Sequence, residues 1–120
     1  MTMEEFERAV DDSVKEIPKK FKRILNKENI KIIIRESAPE AVVESCRRKI
    51  VFGAFIGVPY GQGGMFCPAE PTRIEMYKES FERVFDDDEQ IKLNIKKTVK
   101  HEIAHYFGFS EGYLRKIGYG

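Results

Sequence analysis

A long helical pattern in the last third of the chain constrains the fold most. It covers about residues 88–107, and its apolar residues recur on one helix face: Ile91, Ile95, Val99 and Tyr106. The acidic residues 86–89 predict a cap and a favourable partner for the helix dipole at its amino end. Gly108 predicts the other end, because glycine adopts the left-handed conformation that closes helices. Such a helix needs other elements to cover its apolar face.

A second apolar stripe predicts helical structure at the amino end. Between Met3 and Leu25, apolar residues recur every three or four positions, at Phe6, Val10, Val14, Ile17 and Phe21. Pro18 interrupts this pattern, because proline lacks a backbone donor and clashes with the preceding turn. We therefore expect a break near residues 16–17 and a second short helix that starts at Pro18.

Three segments predict short β-strands. Residues 30–35 are so rich in isoleucine that they favour an interior strand, and residues 49–55 form a second candidate. In Arg73–Tyr77 polar and apolar residues alternate, which is typical of a half-buried strand, here expected at a sheet edge. Pro39 either opens a short helix through residues 41–43 or lies in a loop, and residues 79–85 predict another helix. The expected class is α+β.

Composition and charge exclude several functional classes. The chain has 120 residues, of which 42% are hydrophobic, so we expect one domain over residues 1–120. No run approaches the roughly 18 apolar residues of a membrane-spanning helix, and the acidic start is unlike a signal peptide, so we expect a cytoplasmic protein. Twenty-one Lys and Arg against twenty Asp and Glu leave a net charge of +1, which does not favour nucleic-acid binding.

Two further features predict no chemistry. Cys46 and Cys67 are too far apart for a CxxC pattern, so we expect two free thiols without a role. Residues 57–64 contain four glycines and a proline, and they predict a turned loop. This loop lacks the glycine spacing of phosphate-binding motifs.

The motif HExxHxxGxxE occupies residues 101–111 and contains both histidines of the chain. Positions i and i+4 of a helix differ by about 40° and one turn, so the imidazoles of His101 and His105 converge on one ion. Zinc is the predicted cofactor. On a helical wheel, both histidines flank the core face beside Asn94 and Thr98, where they would face a cleft. Histidines that only pack in the core would instead lie on the apolar stripe.

The glutamates of the motif have separate predicted roles. Glu102 lies between the histidine face and the core, and it is the predicted general base that takes the proton of a zinc-activated water. Glu111 is the candidate third metal ligand, because Gly108 lets the chain turn back towards the ion. Alternatively, Ser110 caps a short terminal helix and Glu111 is an ordinary acid of its first turn. Three tyrosines are candidate hydrogen-bond donors to a transition-state oxyanion, and the sequence does not single one out: Tyr60, Tyr106 and Tyr113.

The segment HEIAHYFGFSE, together with residues 55–59 and 71–77, resembles the small bacterial zincin-like proteins with a minimal matrix-metalloprotease-like fold. The resemblance implies a short mixed sheet packed on an amino-terminal helix and on the metal-binding helix. It also implies an edge strand near residues 74–77 that lines the cleft and binds peptide, with the loop 57–64 at the rim. Unlike metzincins, this chain has Glu111 in place of a third histidine, and no Met follows the motif.

The favoured function is a zinc metallopeptidase that hydrolyses short or unfolded peptides. The alternative is a zincin scaffold that binds a peptide or partner protein without catalysis and uses the metal for stability. A metal-dependent ribonuclease is less favoured, because Glu102, Glu111 and the balanced charge do not fit it. No membrane partner is expected, and the sequence leaves the oligomeric state open.

Overall fold

The computed structural model describes residues 1–47, 49–61 and 71–109, together with residues 112 and 116. Five helices and three strands lie within these residues, so the predicted α+β class is confirmed. In chain order they are α1 (Met3–Lys15), α2 (Lys19–Lys27), β1 (Lys31–Arg35), α3 (Glu40–Ser45), β2 (Gly53–Ile56), β3 (Arg73–Tyr77), α4 (Lys78–Val84) and α5 (Asp88–Tyr106). None of the described helices is long and apolar enough to cross a membrane.

The amino-terminal helices follow the predicted break at Pro18. Helix α1 ends at Lys15 and α2 begins at Lys19. The start of α1 is a capping box that the sequence analysis missed. The Thr2 hydroxyl accepts a hydrogen bond from the Glu5 backbone N–H at 3.1 Å, and the Thr2 N–H donates to the Glu5 carboxylate at 2.9 Å.

The three strands form one mixed sheet with the order β1, β3, β2. Strand β1 runs parallel to β3, with Ile32 opposite Ile74, and β2 runs antiparallel to β3, with Phe55 opposite Ile74. The predicted short mixed sheet is therefore present. Strand β2 begins at Gly53, four residues later than expected. Of the two alternatives at Pro39, a helix or a loop, the structure shows the helix, α3.

Two strand positions were predicted wrongly. The segment Arg73–Tyr77 is the central strand, and the isoleucine-rich β1 lies at an edge, where Ile33 is 37% exposed. The polar alternation of β3 misled the prediction, because its acidic residue Glu75 is fully buried. The Glu75 carboxylate has three partners. Arg73 Nε lies at 2.8 Å, the Tyr77 hydroxyl at 2.9 Å and Arg35 Nε at 3.0 Å. These partners let a charged side chain occupy a central strand.

The hydrophobic core lies where α1, α5 and the inner face of the sheet meet. Phe6 of α1, Ile74 of β3 and Ile95 of α5 are all fully buried in the same cluster. Helix α5 also packs against β2 close to Gly53, where an added Cβ would lie 2.9 Å from the Glu75 carbonyl oxygen and 3.1 Å from Thr98 Cγ2. The absence of a side chain at Gly53 therefore lets the edge strand approach α5.

Candidate metal centre

Helix α5 carries both histidines, and its two ends have defined caps. At the amino end, the Asp87 side chain accepts a hydrogen bond from the Gln90 N–H at 2.8 Å, which confirms the predicted cap. At the carboxyl end, Gly108 has φ +88° and donates to the His105 carbonyl, while the Phe109 N–H donates to the Ala104 carbonyl. This pair of hydrogen bonds is a Schellman motif. The predicted helix end at Gly108 is therefore confirmed.

The buried face of α5 sets the direction of its other faces. The predicted core residues of this helix are all at most 4% exposed: Ile91, Ile95, Val99 and Tyr106. His101 and His105 are half-buried, so they lie at the border between core and solvent. Packing of the apolar stripe thereby fixes the helix rotation that brings His101 to the cleft, while His105 lies one turn further along the helix.

The imidazole rings of His101 and His105 converge on one point. Their Nε2 atoms lie 2.9 Å apart, and the ring centroids are 4.5 Å apart with an interplanar angle of 75°. Two nitrogens at this distance share either a proton in a hydrogen bond or a cation. Two ligands of a tetrahedral zinc ion lie about 3.3 Å apart, since each Zn–N bond is about 2.0–2.1 Å. The two nitrogens are therefore only about 0.4 Å closer together than two ligands of one zinc ion.

Glu102 opens onto the same cleft as His101. The cleft has a volume of about 460 Å³ and separates α5 from the segment that leads into β2. Asn94 and Thr98, which the helical wheel placed beside the histidines, also line it. Imidazole and carboxylate groups at a solvent-accessible cleft can bind a divalent cation and transfer protons.

The third ligand is not visible among the described residues. Within residues 1–47, 49–61 and 71–109, no three His, Cys, Asp or Glu side chains form a group that could hold a metal ion. Glu111, the predicted third ligand, and Ser110, its alternative helix cap, lie outside the described residues, as does Cys67.

The candidate oxyanion donors lie elsewhere. Tyr60 and Tyr106 line a separate cavity of about 310 Å³, and the Tyr60 N–H donates to the Tyr106 carbonyl at 2.8 Å. Burial raises the pKa of the Tyr106 hydroxyl. Tyr113 lies outside the described residues. Neither described tyrosine lines the cleft with His101 and Glu102.

Sequence reasoning missed the wall opposite α5. Cys46 and residues 49–53 form it, and Phe52, Ile50 and Lys49 are among its side chains. No local pattern marked these residues, because tertiary packing alone brings them to the helix. Lys97 also lines the cleft, and its position one helical turn before His101 was an available signal.

A comparison with protein families matches residues 27–120 to the model of zincin-like metallopeptidases. The chain belongs to this family. The matched part covers more than three quarters of the chain and includes all three strands and α5, whereas α1 precedes it. No curated protein matches the chain. The expected resemblance to small zincin-like proteins is thus confirmed at the level of the family.

Proposed function

We propose that this protein is a zinc-dependent peptidase in which His101, His105 and Glu111 hold the metal and Glu102 is the general base. The observation that carries the proposal is the 2.9 Å separation of the two histidine Nε2 atoms, beside a cleft lined by His101 and Glu102. Membership of the zincin-like metallopeptidase family supports the same reaction class.

The donor set fits a catalytic zinc site. Two imidazoles and one carboxylate leave one position of a four-coordinate ion open for water, as catalytic zinc requires. A zinc ion bound there would polarise the substrate carbonyl and lower the pKa of a water ligand to about 7. The contribution of Glu111 is proposed from its place in the motif and from the left-handed conformation of Gly108, which ends α5 three residues before it.

Glu102 supplies the proton transfers of the proposed reaction. Its carboxylate accepts a proton from water while the water oxygen forms a bond with the carbonyl carbon of the peptide. The resulting carboxylic acid donates that proton to the amide nitrogen as the C–N bond breaks. The second proton of the water stays on the new carboxyl group and then passes to the released amine, so the products are one carboxylate and one ammonium group, and Glu102 returns to its ionised form.

The substrate is proposed to bind along β2. Because β3 is central, it cannot accept an added strand, and the predicted peptide edge at residues 74–77 is wrong. Among the described strands, β2 pairs with β3 alone, and Gly53 at its start lines the cleft with His101. An extended peptide can add to such an edge through main-chain hydrogen bonds. Short or unfolded peptides fit this mode, and the shared core of α1, β3 and α5 supports one zincin-like domain over residues 1–120.

The test combines metal content with turnover. We expect Glu102→Gln to keep its zinc and to lose at least about a hundredfold in kcat/KM on quenched fluorescent peptides, because the base is removed and the ligands are not. Glu89→Gln makes the same change in the first turn of α5 and should leave turnover unaltered.

Two results would contradict the proposal. Turnover that survives Glu102→Gln would exclude Glu102 as the base. If the zinc-loaded protein binds peptides in its cleft but hydrolyses none, the protein is a peptide-binding scaffold and not a peptidase. His101→Ala should lose zinc as well as turnover, and Glu111→Ala should weaken zinc binding if Glu111 is a ligand.

A further inference from the structure

Two lysines line the cleft and make no ion pair with the described residues. Lys49 lies on the wall that leads into β2, Lys97 lies on α5, and both side chains are exposed. Other lysines of α5 do find carboxylates: Lys96 Nζ lies 2.8 Å from Glu16, and Lys92 Nζ lies 4.0 Å from Glu89. The cleft therefore keeps two ammonium groups that are available to a ligand.

The positions around Lys97 explain why it has no partner on its own helix. The residues three and four positions away are Leu93, Asn94, Lys100 and His101, none of which is an acid. Glu102 is the single carboxylate among the described residues that line the cleft, and the proposed function assigns it to proton transfer. The described lining thus carries more positive than negative charge.

The spacing relates Lys97 to the bond that would be cleaved. Lys97 precedes His101 by one turn, which is about 6 Å along the helix. An extended peptide advances about 3.3 Å per residue, so this distance corresponds to about two residues. The wall opposite α5 also carries apolar side chains, Phe52 and the 45% exposed Ile50, which suit the methylene groups next to a carboxylate.

We propose that the cleft selects peptides that present a carboxylate within about two residues of the scissile bond, and that Lys97 and Lys49 bind this group. This inference rests on the proposed function and names its substrate class. The carboxylate belongs either to an Asp or Glu side chain or to the carboxyl terminus of the peptide, and the experiment separates these sources.

The experiment measures binding to zinc-loaded Glu102→Gln protein, which does not consume the peptide. The probes are fluorescein-labelled octapeptides of alanine and serine in which one Glu, Gln or Lys moves along the sequence, each made with a free and with an amidated carboxyl terminus. We expect the best Glu peptide to bind about fivefold more tightly than its Gln counterpart, which is the upper range of an exposed ion pair. The preference should weaken in 0.5 M NaCl, because salt screens exposed charges.

Charge reversal identifies the lysine. In the Glu102→Gln background, Lys97→Glu should weaken binding of the Glu peptide about tenfold and improve binding of the Lys peptide. Lys97→Ala should weaken binding of the Glu peptide about threefold to fivefold. Lys92→Glu is the matched control, because it makes the same change on α5 where the helix faces α1 residues outside the cleft. A preference that depends on the free terminus assigns the carboxylate to the peptide end, and one that survives amidation assigns it to a side chain.

The outcomes separate this inference from the proposed function. If the wild-type protein hydrolyses none of the peptides while Lys97 still sets the charge preference in binding, the peptidase proposal fails and the carboxylate site stands. If the wild type hydrolyses Glu, Gln and Lys peptides with equal kcat/KM and the three bind equally, the inference is overturned and the peptidase proposal stands. Equal effects of Lys97→Glu and Lys92→Glu would also overturn it.

Discussion

Glu75 shows at the scale of single residues how a buried charge is accommodated in this fold. Its side chain is fully buried on the central strand, with hydrogen bonds from Arg73 and Tyr77 and an ion pair with Arg35. Burial raises the pKa of Glu75, but the hydrogen bonds and the Arg35 charge outweigh it and hold the pKa below its ordinary value. The folded state therefore favours the ionised carboxylate of Glu75.

Glu75→Gln should lower the free energy of unfolding at pH 7 by about 2 kcal/mol. The variant leaves the guanidinium of Arg73 beside a neutral amide in a buried position, while water screens the 46% exposed Arg35 and limits the loss. Urea unfolding measures the difference. Glu7→Gln, an exposed position on α1, is the control and should change stability by less than about 0.5 kcal/mol.

The same residue predicts a pH dependence with a defined sign. The folded-state pKa of Glu75 is lowered from 4.5, so its stabilisation is complete above pH 4.5 and is lost as the pH falls through the lower folded value. The stability difference between wild type and Glu75→Gln should therefore narrow on acidification. Urea unfolding between pH 7 and pH 3 tests this, and a difference that stays constant over this range would contradict it.

At the scale of elements, the turn that ends α5 links the backbone conformation of one glycine to the candidate metal centre, because the proposed ligand Glu111 follows it. Gly108 has φ +88°, and an added Cβ there would have no atom of the described residues within 4 Å apart from its neighbours in the chain. Gly108→Ala should therefore cost only the backbone strain of a left-handed alanine, about 1–2 kcal/mol. Thermal unfolding of the metal-free protein measures this cost.

Gly61→Ala is the matched control for the turn. Gly61 has φ +86°, and an added Cβ there would likewise have none of the described atoms within 4 Å, so the same substitution should cause a similar loss of stability. If Glu111 returns to the metal through the turn at Gly108, zinc affinity should fall in Gly108→Ala and stay unchanged in Gly61→Ala. Equal zinc affinities of the two variants would argue against Glu111 as a ligand.

At the scale of the whole molecule, metal binding and folding should be coupled through α5. This helix packs on α1 and on β2, and its buried face joins the core cluster. If His101 and His105 hold zinc as proposed, and the unfolded chain does not bind it, free zinc at about a hundred times its Kd should add about 2.7 kcal/mol to the free energy of unfolding. For a chain of this size, that corresponds to a rise in Tm on the order of 10 °C.

Calorimetry with and without a chelator measures this coupling. EDTA should reverse the rise in Tm that zinc causes in the wild-type protein. His101→Ala with His105→Ala should show no zinc-dependent shift, whereas Lys92→Ala should keep it, because Lys92 lies outside the candidate site. A zinc-dependent shift that persists in the double variant would place metal binding elsewhere in the chain.

The sequence by itself determined the two longest helices and the local arrangement of the candidate site. Helical periodicity identified α1 and α5, and Pro18 and Gly108 marked their ends, because these effects act within one or two turns of backbone. The spacing of His101 and His105 likewise specified two imidazoles on one helix face. Such features depend on neighbours in the sequence.

The tertiary structure decided the strand order and the cleft. Alternation in Arg73–Tyr77 indicated a strand but could not show that both of its edges are paired, because pairing depends on segments distant in sequence. Glu75 is buried with an ion pair to Arg35, which lies on a different strand, β1. The cleft wall that contains Lys49 lies opposite α5 because β2 packs against that helix. Contacts between distant segments arise only when the core closes, and therefore local pattern does not encode them one by one.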